Sequence, residues 1–353
     1  MVIRAFITHK KAEVFADCQD RFGVNNDTKS IAVSDGMGST WQQKIWAQLL
    51  VDTFTESKDW LPNADSIKPL CSTWKEKVEN FIQQLKETNA PKYLTIMNER
   101  SLYLLRRSAG ATFVGIRFNG KEWSGSVLGD SCLIEWDGNE TMFYSSQDVD
   151  TFDSYPDYFD SDVSKEGKGT PKPIKGILSG GKCLLLVSDP FSDFLLEHKK
   201  QSNEGEYISQ LLAVSSHEDF ETLVAKWREE GMHNDDTTLV VVENDGTDEF
   251  SIVALDDLDT LIEKDKLEKE KKQEINIDEQ IVFQKEQGKE ESETPTDSNC
   301  TPTPVETNLI IKELINELER YRNSLEKKRL RNWWSLIKKA IKEVLSRYVI
   351  YKK

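Results

Sequence analysis

Histidine and cysteine are scarce in this chain of 353 residues, and neither is clustered. The four histidines, His9, His198, His217 and His233, are scattered, so a zinc or haem site has no ligand set. The five cysteines are odd in number and lack close pairing, which points to a reducing cytosol rather than a disulfide framework. No apolar run reaches membrane-spanning length. The opening stretch, MVIRAFITHKK, has no signal-peptide apolar core and passes directly into a strand-like run. The expected location is therefore cytoplasmic. Basic residues are in the minority, 46 Lys and Arg against 62 Asp and Glu, for a net charge of -16. That balance argues against nucleic-acid binding by the body of the protein.

What the chain does have is acid at the ends of apolar runs. Asp35 lies between Ser30–Val33 and the glycine-rich turn of SDGMGST, Ser34 to Thr40. Gly36 and Gly38 let the backbone turn tightly enough for a carbonyl to face the same site. Three further clusters follow this pattern: CQDRFGV (Cys18 to Val24), LLLVSDPFSDFL (Leu184 to Leu195) and NDDTTLVVVEN (Asn234 to Asn244). Each places a carboxylate at the edge of an expected strand. Oxygen ligands on a rigid sheet suit hard divalent cations such as Mg or Mn.

The order of these clusters resembles the metal-dependent serine/threonine protein phosphatases of type 2C, in their bacterial branch. Gln19-Asp20 stands where that family has N-E-D, and Asp35-Gly36-Met37-Gly38-Ser39 where it has D-G-M/H-G-G. Gly110-Ala111-Thr112 and Gly129-Asp130-Ser131-Cys132 look like its G-A-T and G-D-S-R. Ser188-Asp189-Pro190 looks like S-D-G, and Asp235-Asp236-Thr237-Thr238 like D-N-x-T. The match spans about residues 1 to 245. Gln19, Ser39, Cys132, Pro190 and Asp236 depart from the family pattern, and Phe15 stands where a phosphate-holding arginine is usual.

The resemblance implies hydrolysis of phosphoserine and phosphothreonine by a hydroxide bridging two Mn or Mg ions, without a phosphoenzyme. It implies Asp35, Asp189 and Asp235 as catalytic carboxylates. Asp20, Asp35, the Gly36 carbonyl, Asp189 and Asp235 are the implied metal ligands. Asp193 either caps the following helix or helps to hold a third ion, and Asp130 reads first as a turn-fixing residue. Lys10 and Lys11, with Arg4 nearby, are the cations expected to take over phosphate binding. Of the pair Asp235 and Asp236, only one can face the metals, because a strand alternates its side chains; the family spacing selects Asp235. Phosphorylated proteins are the implied partners, specifically a serine/threonine kinase or its substrates. The rival reading is a catalytically weak scaffold that recruits partners through its C-terminal tail.

Pattern alone predicts an α+β fold. The resemblance sharpens it to a four-layer α-β-β-α sandwich of two antiparallel sheets flanked by helices, plus a helical C-terminal tail. Expected strands are Val2–Thr8, Ser30–Ser34, Ala111–Phe118, Trp123–Leu128, Cys132–Trp136, Cys183–Val187 and Thr238–Val242. Expected helices are Trp41–Phe54, Leu70–Glu87, Pro190–His198, Tyr207–Val214 and Phe220–Glu230. The phosphatase domain is expected over 1–250. A charged linker too polar to pack follows over 251–308, with a basic amphipathic helical tail over 309–353. In that tail Trp333, Trp334, Ile337, Ile341, Val344, Leu345 and Tyr348 share one helical face. Thirteen Lys and Arg meet five Glu there, so the tail is expected to dock on the acidic body, on a partner protein or on a membrane surface.

Overall fold

The computed structural model describes residues 1–88, 90, 92–93, 96–97, 108–147, 156–165 and 167–268. The chain divides into two units, Met1–Ile277 and Asp278–Lys353. The tail over 309–353, most of the expected linker and most of the acidic run from Asp148 to Asp162 lie outside the described residues.

The first unit is built on two sheets. One has the order β13-β1-β12-β11-β7-β8, with β1 at Val2–Thr8, β7 at Cys132–Trp136, β8 at Thr141–Tyr144, β11 at Cys183–Val187, β12 at Thr237–Glu243 and β13 at Ser251–Leu255. The other has the order β10-β6-β5-β3-β2, with β2 at Arg21–Asn25, β3 at Ser30–Ser34, β5 at Phe113–Asn119, β6 at Glu122–Leu128 and β10 at Lys172–Ile177. A small pair joins β4, Gly110–Ala111, to β9, Phe159–Asp160.

Strands β11 and β12 are apolar almost throughout because both of their faces are covered. Leu184, Leu186, Val240 and Val242 meet Ile31, Val33, Val114 and Ile116 of the facing sheet. The alternate residues Leu185, Val187, Leu239 and Val241 pack outward on helices α3 (Asp189–Lys200), α4 (Glu204–Ala213) and α5 (His217–Glu229). On the outer face of the other sheet, Ala32, Phe113 and Leu128 pack on α1 (Gln43–Glu56) and α2 (Lys68–Glu87). Each helix buries a stripe at three- and four-residue spacing, such as Cys71, Trp74, Val78 and Ile82 on α2. Helix α5 also starts with a side-chain cap, the Asp219 amide donating to Ser216. The result is the expected α-β-β-α sandwich.

Three features differ from the sequence reading. The sheets are antiparallel except at one place: β13 pairs parallel with β1. The return from β12 straddles β1, which is already paired with β12 on its other side. Strand and helix also continue past residue 250. Beyond β13, residues 258–268 are helical, and Leu261 is buried with Ile7, Phe15 and Cys18. A few apolar residues in a polar stretch suffice there, because Ile7, Phe15 and Cys18 receive them. The strands not foreseen, β2, β8, β9, β10 and β13, are edge strands or two-residue pairs. Pro173 in β10 is tolerated for that reason.

Candidate active site

The acidic motifs meet where the strands of both sheets end. Asp35 directly follows β3, Asp20 directly precedes β2, and Asp130 lies in the β6–β7 turn. Asp189 follows β11 after one residue, and Asp235 and Asp236 directly precede β12. The sheets are tied together at this end: the Thr238 hydroxyl of β12 donates to Asp20 Oδ2 at 2.8 Å. Asp20 is fully buried, and among the described residues its Oδ1 has no hydrogen-bond partner.

The turn after Asp35 is held by its neighbours. The Asp35 amide donates to Thr112 Oγ1 at 3.2 Å, and the Thr112 amide donates back to the Asp35 carbonyl at 2.9 Å. Thr112 Oγ1 in turn lies 2.7 Å from Ser131 Oγ. Gly36 bridges to Ala111. A Cβ there would stand 2.9 Å from Gln43 Cγ and 3.0 Å from the Gln19 carbonyl oxygen, so close approach requires glycine. The G-A-T and G-D-S segments are thus the struts of the Asp35 turn.

Asp35, Asp189 and Asp235 are partly open, whereas Asp20, Asp130 and Asp236 are buried. Their charges act on one another. Burial, then the charges of Asp130 and Asp235, pushes Asp35 up to about 7. Burial likewise lifts Asp130 to about 7, with Asp193 and Asp20 adding to it. Asp189 is held well above the usual carboxylate range by burial and by Asp35, Asp130, Asp235 and Asp20. Asp20 is raised by burial, Asp35 and Asp236. Such a set favours protons or cations. Asp130 therefore belongs to the cluster, with its Oδ1 buried and without a hydrogen-bond partner among the described residues. Its side chain also accepts the amides of its own turn, at Asp130 and Ser131, so a turn-fixing role and a place in the cluster coexist. Asp193, exposed one turn along α3, is near enough for its charge to reach Asp130.

The two adjacent acids diverge. Asp236 turns inward, and its two oxygens accept the amides of Lys10 at 2.9 Å and Gln19 at 2.7 Å. Asp235 turns toward the open side. Its Oδ1 accepts the Asp236 amide at 2.7 Å and lies 2.9 Å from Lys10 Nζ. Arg228 fixes the backbone there, donating to the Asp235 carbonyl at 2.7 Å; no sequence motif marks this arginine. Burial disfavours the charge on Lys10, but its hydrogen bond to Asp235 and the charges of Asp235 and Asp236 outweigh this and raise its pKa.

Among the other expected cations, Lys11 is exposed, with its amide on Asn234 Oδ1. Arg4 is engaged elsewhere, on Glu243 and the Val214 carbonyl. Phe15 packs against His9 and His217 in the cluster around Leu261. A cleft of about 490 Å³ reaches the turn after Asp35 at Gly38 and is lined in part by Glu13, Gln19, Trp41 and Lys44.

Among the described residues, no three His, Cys, Asp or Glu side chains converge closely enough to hold a metal ion as they stand. The donor chemistry nonetheless fits hard divalent cations. The donors are carboxylate oxygens, two buried oxygens lack partners, and the mutual repulsion is of the kind that cations relieve.

The chain matches the family model described as protein phosphatase 2C over residues 13–221. Among solved structures it is similar to the serine/threonine phosphatase Stp1 from Staphylococcus aureus, with 13% identity, 69% of this chain and 95% of that one covered, and a TM-score of 0.45. It is similar to PppA, a regulatory component of T6SS in Pseudomonas aeruginosa, with 18% identity, coverage of 69% and 98%, and a TM-score of 0.43. A third is the catalytic domain of the phosphatase PstP in complex with 2 manganese ions, with 15% identity, coverage of 68% and 96%, and a TM-score of 0.40. No curated protein matches. The family model spans more than half of the chain, and its segment contains the Asp20, Asp35, Asp130 and Asp189 motifs. The chain belongs to the protein phosphatase 2C family and is an enzyme of the serine/threonine protein phosphatase class.

Proposed function

We propose that this enzyme hydrolyses phosphoserine and phosphothreonine in proteins and depends on two Mn or Mg ions. The observation that carries this reading is the set of mutually repelling carboxylates at the seam of the two sheets. Asp35, the Gly36 carbonyl, Asp189 and Asp235 would hold the ions, with Asp20 supporting them from below and Asp193 serving a third. When bound, such ions supply an activated water as nucleophile and neutralise the phosphoryl oxygens. The chain's own contribution is placement. Thr238 and Ser188 fix the strand ends beneath Asp20, the Ser188 hydroxyl accepting the Thr238 amide at 2.9 Å. Lys10 and Lys11 are the phosphate-binding candidates. Lys10 Nζ lies 4.0 Å from the place a Gly38 Cβ would occupy, beside the catalytic turn. The neighbouring cleft has room for peptide flanking the phosphorylated residue.

The partners proposed are phosphorylated proteins, a serine/threonine kinase or its substrates among them. A cytoplasmic location is supported by four free, buried cysteines; among the described residues, no helix is long and apolar enough to cross a membrane. The second reading, a catalytically weak scaffold, is favoured by one observation: Asp235 is already paired with Lys10. Hydrolysis of an aryl phosphate and a phosphothreonine peptide, with Mn and with EDTA, for wild type and Asp35→Asn, decides between them. Mn-dependent turnover lost in Asp35→Asn supports the phosphatase; no turnover in wild type supports the scaffold.

A further inference from the structure

We propose that Lys10 is an internal counter-ion of Asp235, one that a divalent cation must displace to reach this carboxylate. The inference rests on the metal-dependent reading above and adds a residue that sets the affinity for the metal.

Lys10 Nζ lies 2.9 Å from Asp235 Oδ1, an ion pair with a carboxylate of the cluster. Its ammonium and a cation at Asp235 compete for the same carboxylate, and like charges at this range repel. The lysine backbone is not free to leave. Its amide is held by Asp236 Oδ1 at 2.9 Å, and its carbonyl accepts the Glu13 amide at 3.0 Å. The side chain, 19% exposed, is the part that can swing. Asp235 does not need Lys10 to stay in place. The Asp236 amide binds its Oδ1 and Arg228 binds its carbonyl. Removing the lysine charge should therefore free the carboxylate for the cation rather than scatter it.

The test is isothermal titration of Mn into the full chain, for wild type, Lys10→Gln and Lys10→Arg. Lys10→Gln should bind Mn about two- to fivefold more tightly, the range expected for losing one partly exposed ion pair. Lys10→Arg, which keeps the charge, should stay near wild type. Equal or weaker binding by Lys10→Gln, with its melting temperature unchanged, overturns the inference. If neither wild type nor Lys10→Gln binds Mn, the metal-dependent reading itself fails. A readout on the wild-type protein guards against a folding defect in the variant. Reductive methylation at Lys10, followed by peptide mass spectrometry, should be faster in Mg than in EDTA. Equal rates would show that the ammonium is not displaced.

Discussion

His217 Nδ1 lies 2.8 Å from Asp256 Oδ2, the oxygen that also accepts the Ile7 amide at 2.9 Å. This joins α5 to β1 and to the segment after β13. Hydrogen bonds to Asp256 and Glu221 lift the imidazole from its ordinary value to about 9. The folded state thus binds the proton more tightly than the unfolded chain does. The contribution is complete below about pH 6.5 and is lost as pH rises through about 9. Wild type should exceed His217→Gln in stability by roughly 2 kcal/mol near pH 6, and the two should converge above pH 9. Urea denaturation at both pH values measures this. An unchanged gap would remove the charged pair from the account.

Metal removal should abolish hydrolysis. Asp35→Asn or Asp189→Asn should lower turnover by about 10³-fold or more, since the activated water is lost. Full activity in EDTA would rule out the metal-dependent mechanism.

Asp235 and Asp236 should fail in different ways. Asp235→Ala should abolish or greatly weaken Mn binding, and it leaves one amide, of Asp236, without its acceptor, a smaller loss of stability than at the neighbouring acid. Asp236→Ala leaves two amides, of Lys10 and Gln19, without acceptors, at a cost of about 1–3 kcal/mol each. Asp236→Asn keeps one acceptor and should recover about half of that loss. Titration and thermal melts on the three variants separate binding from stability, and equal losses in both measurements would reject the register.

Truncation should show where the first unit ends. A chain ending at Ile277 retains the whole unit and should keep aryl phosphatase activity. A chain ending at 250 loses β13 and the buried Leu261, and should be markedly less stable. Leu261→Ala alone should cost about 2–3 kcal/mol. If the chain ending at 250 melts with the longer one, the terminal strand and helix contribute nothing.

The central strands were legible because burial on both faces leaves a continuous apolar run, as in Leu184–Val187 and Leu239–Val242. Asp35, Asp189 and Asp235 were legible for the related reason that each ends such a run. The edge strands were not, because Arg21–Asn25 and Lys172–Ile177 face solvent along one side and lack the apolar signal. Nor could local pattern reveal Lys10 against Asp235 or Arg228 against its carbonyl. Those contacts join residues separated by more than two hundred positions in one case and depend on side-chain direction in the other. Phe15 looked like a lost phosphate ligand, and the fold explains it by apolar packing on a helix that lies far along the chain.

The hydrogen bond between Asp20 and Thr238 has a consequence for how this protein could change over generations. It fastens one sheet to the other, just as Asp236 fastens the loop from Lys10 to Gln19. A descendant that ceased to hydrolyse phosphate could discard Asp35 or Asp189 at little structural cost. It could not discard Asp20 or Asp236 so easily, because both have work in the folded state itself. Retention of those two acids in a relative would therefore report the architecture, and retention of Asp35 and Asp189 the chemistry.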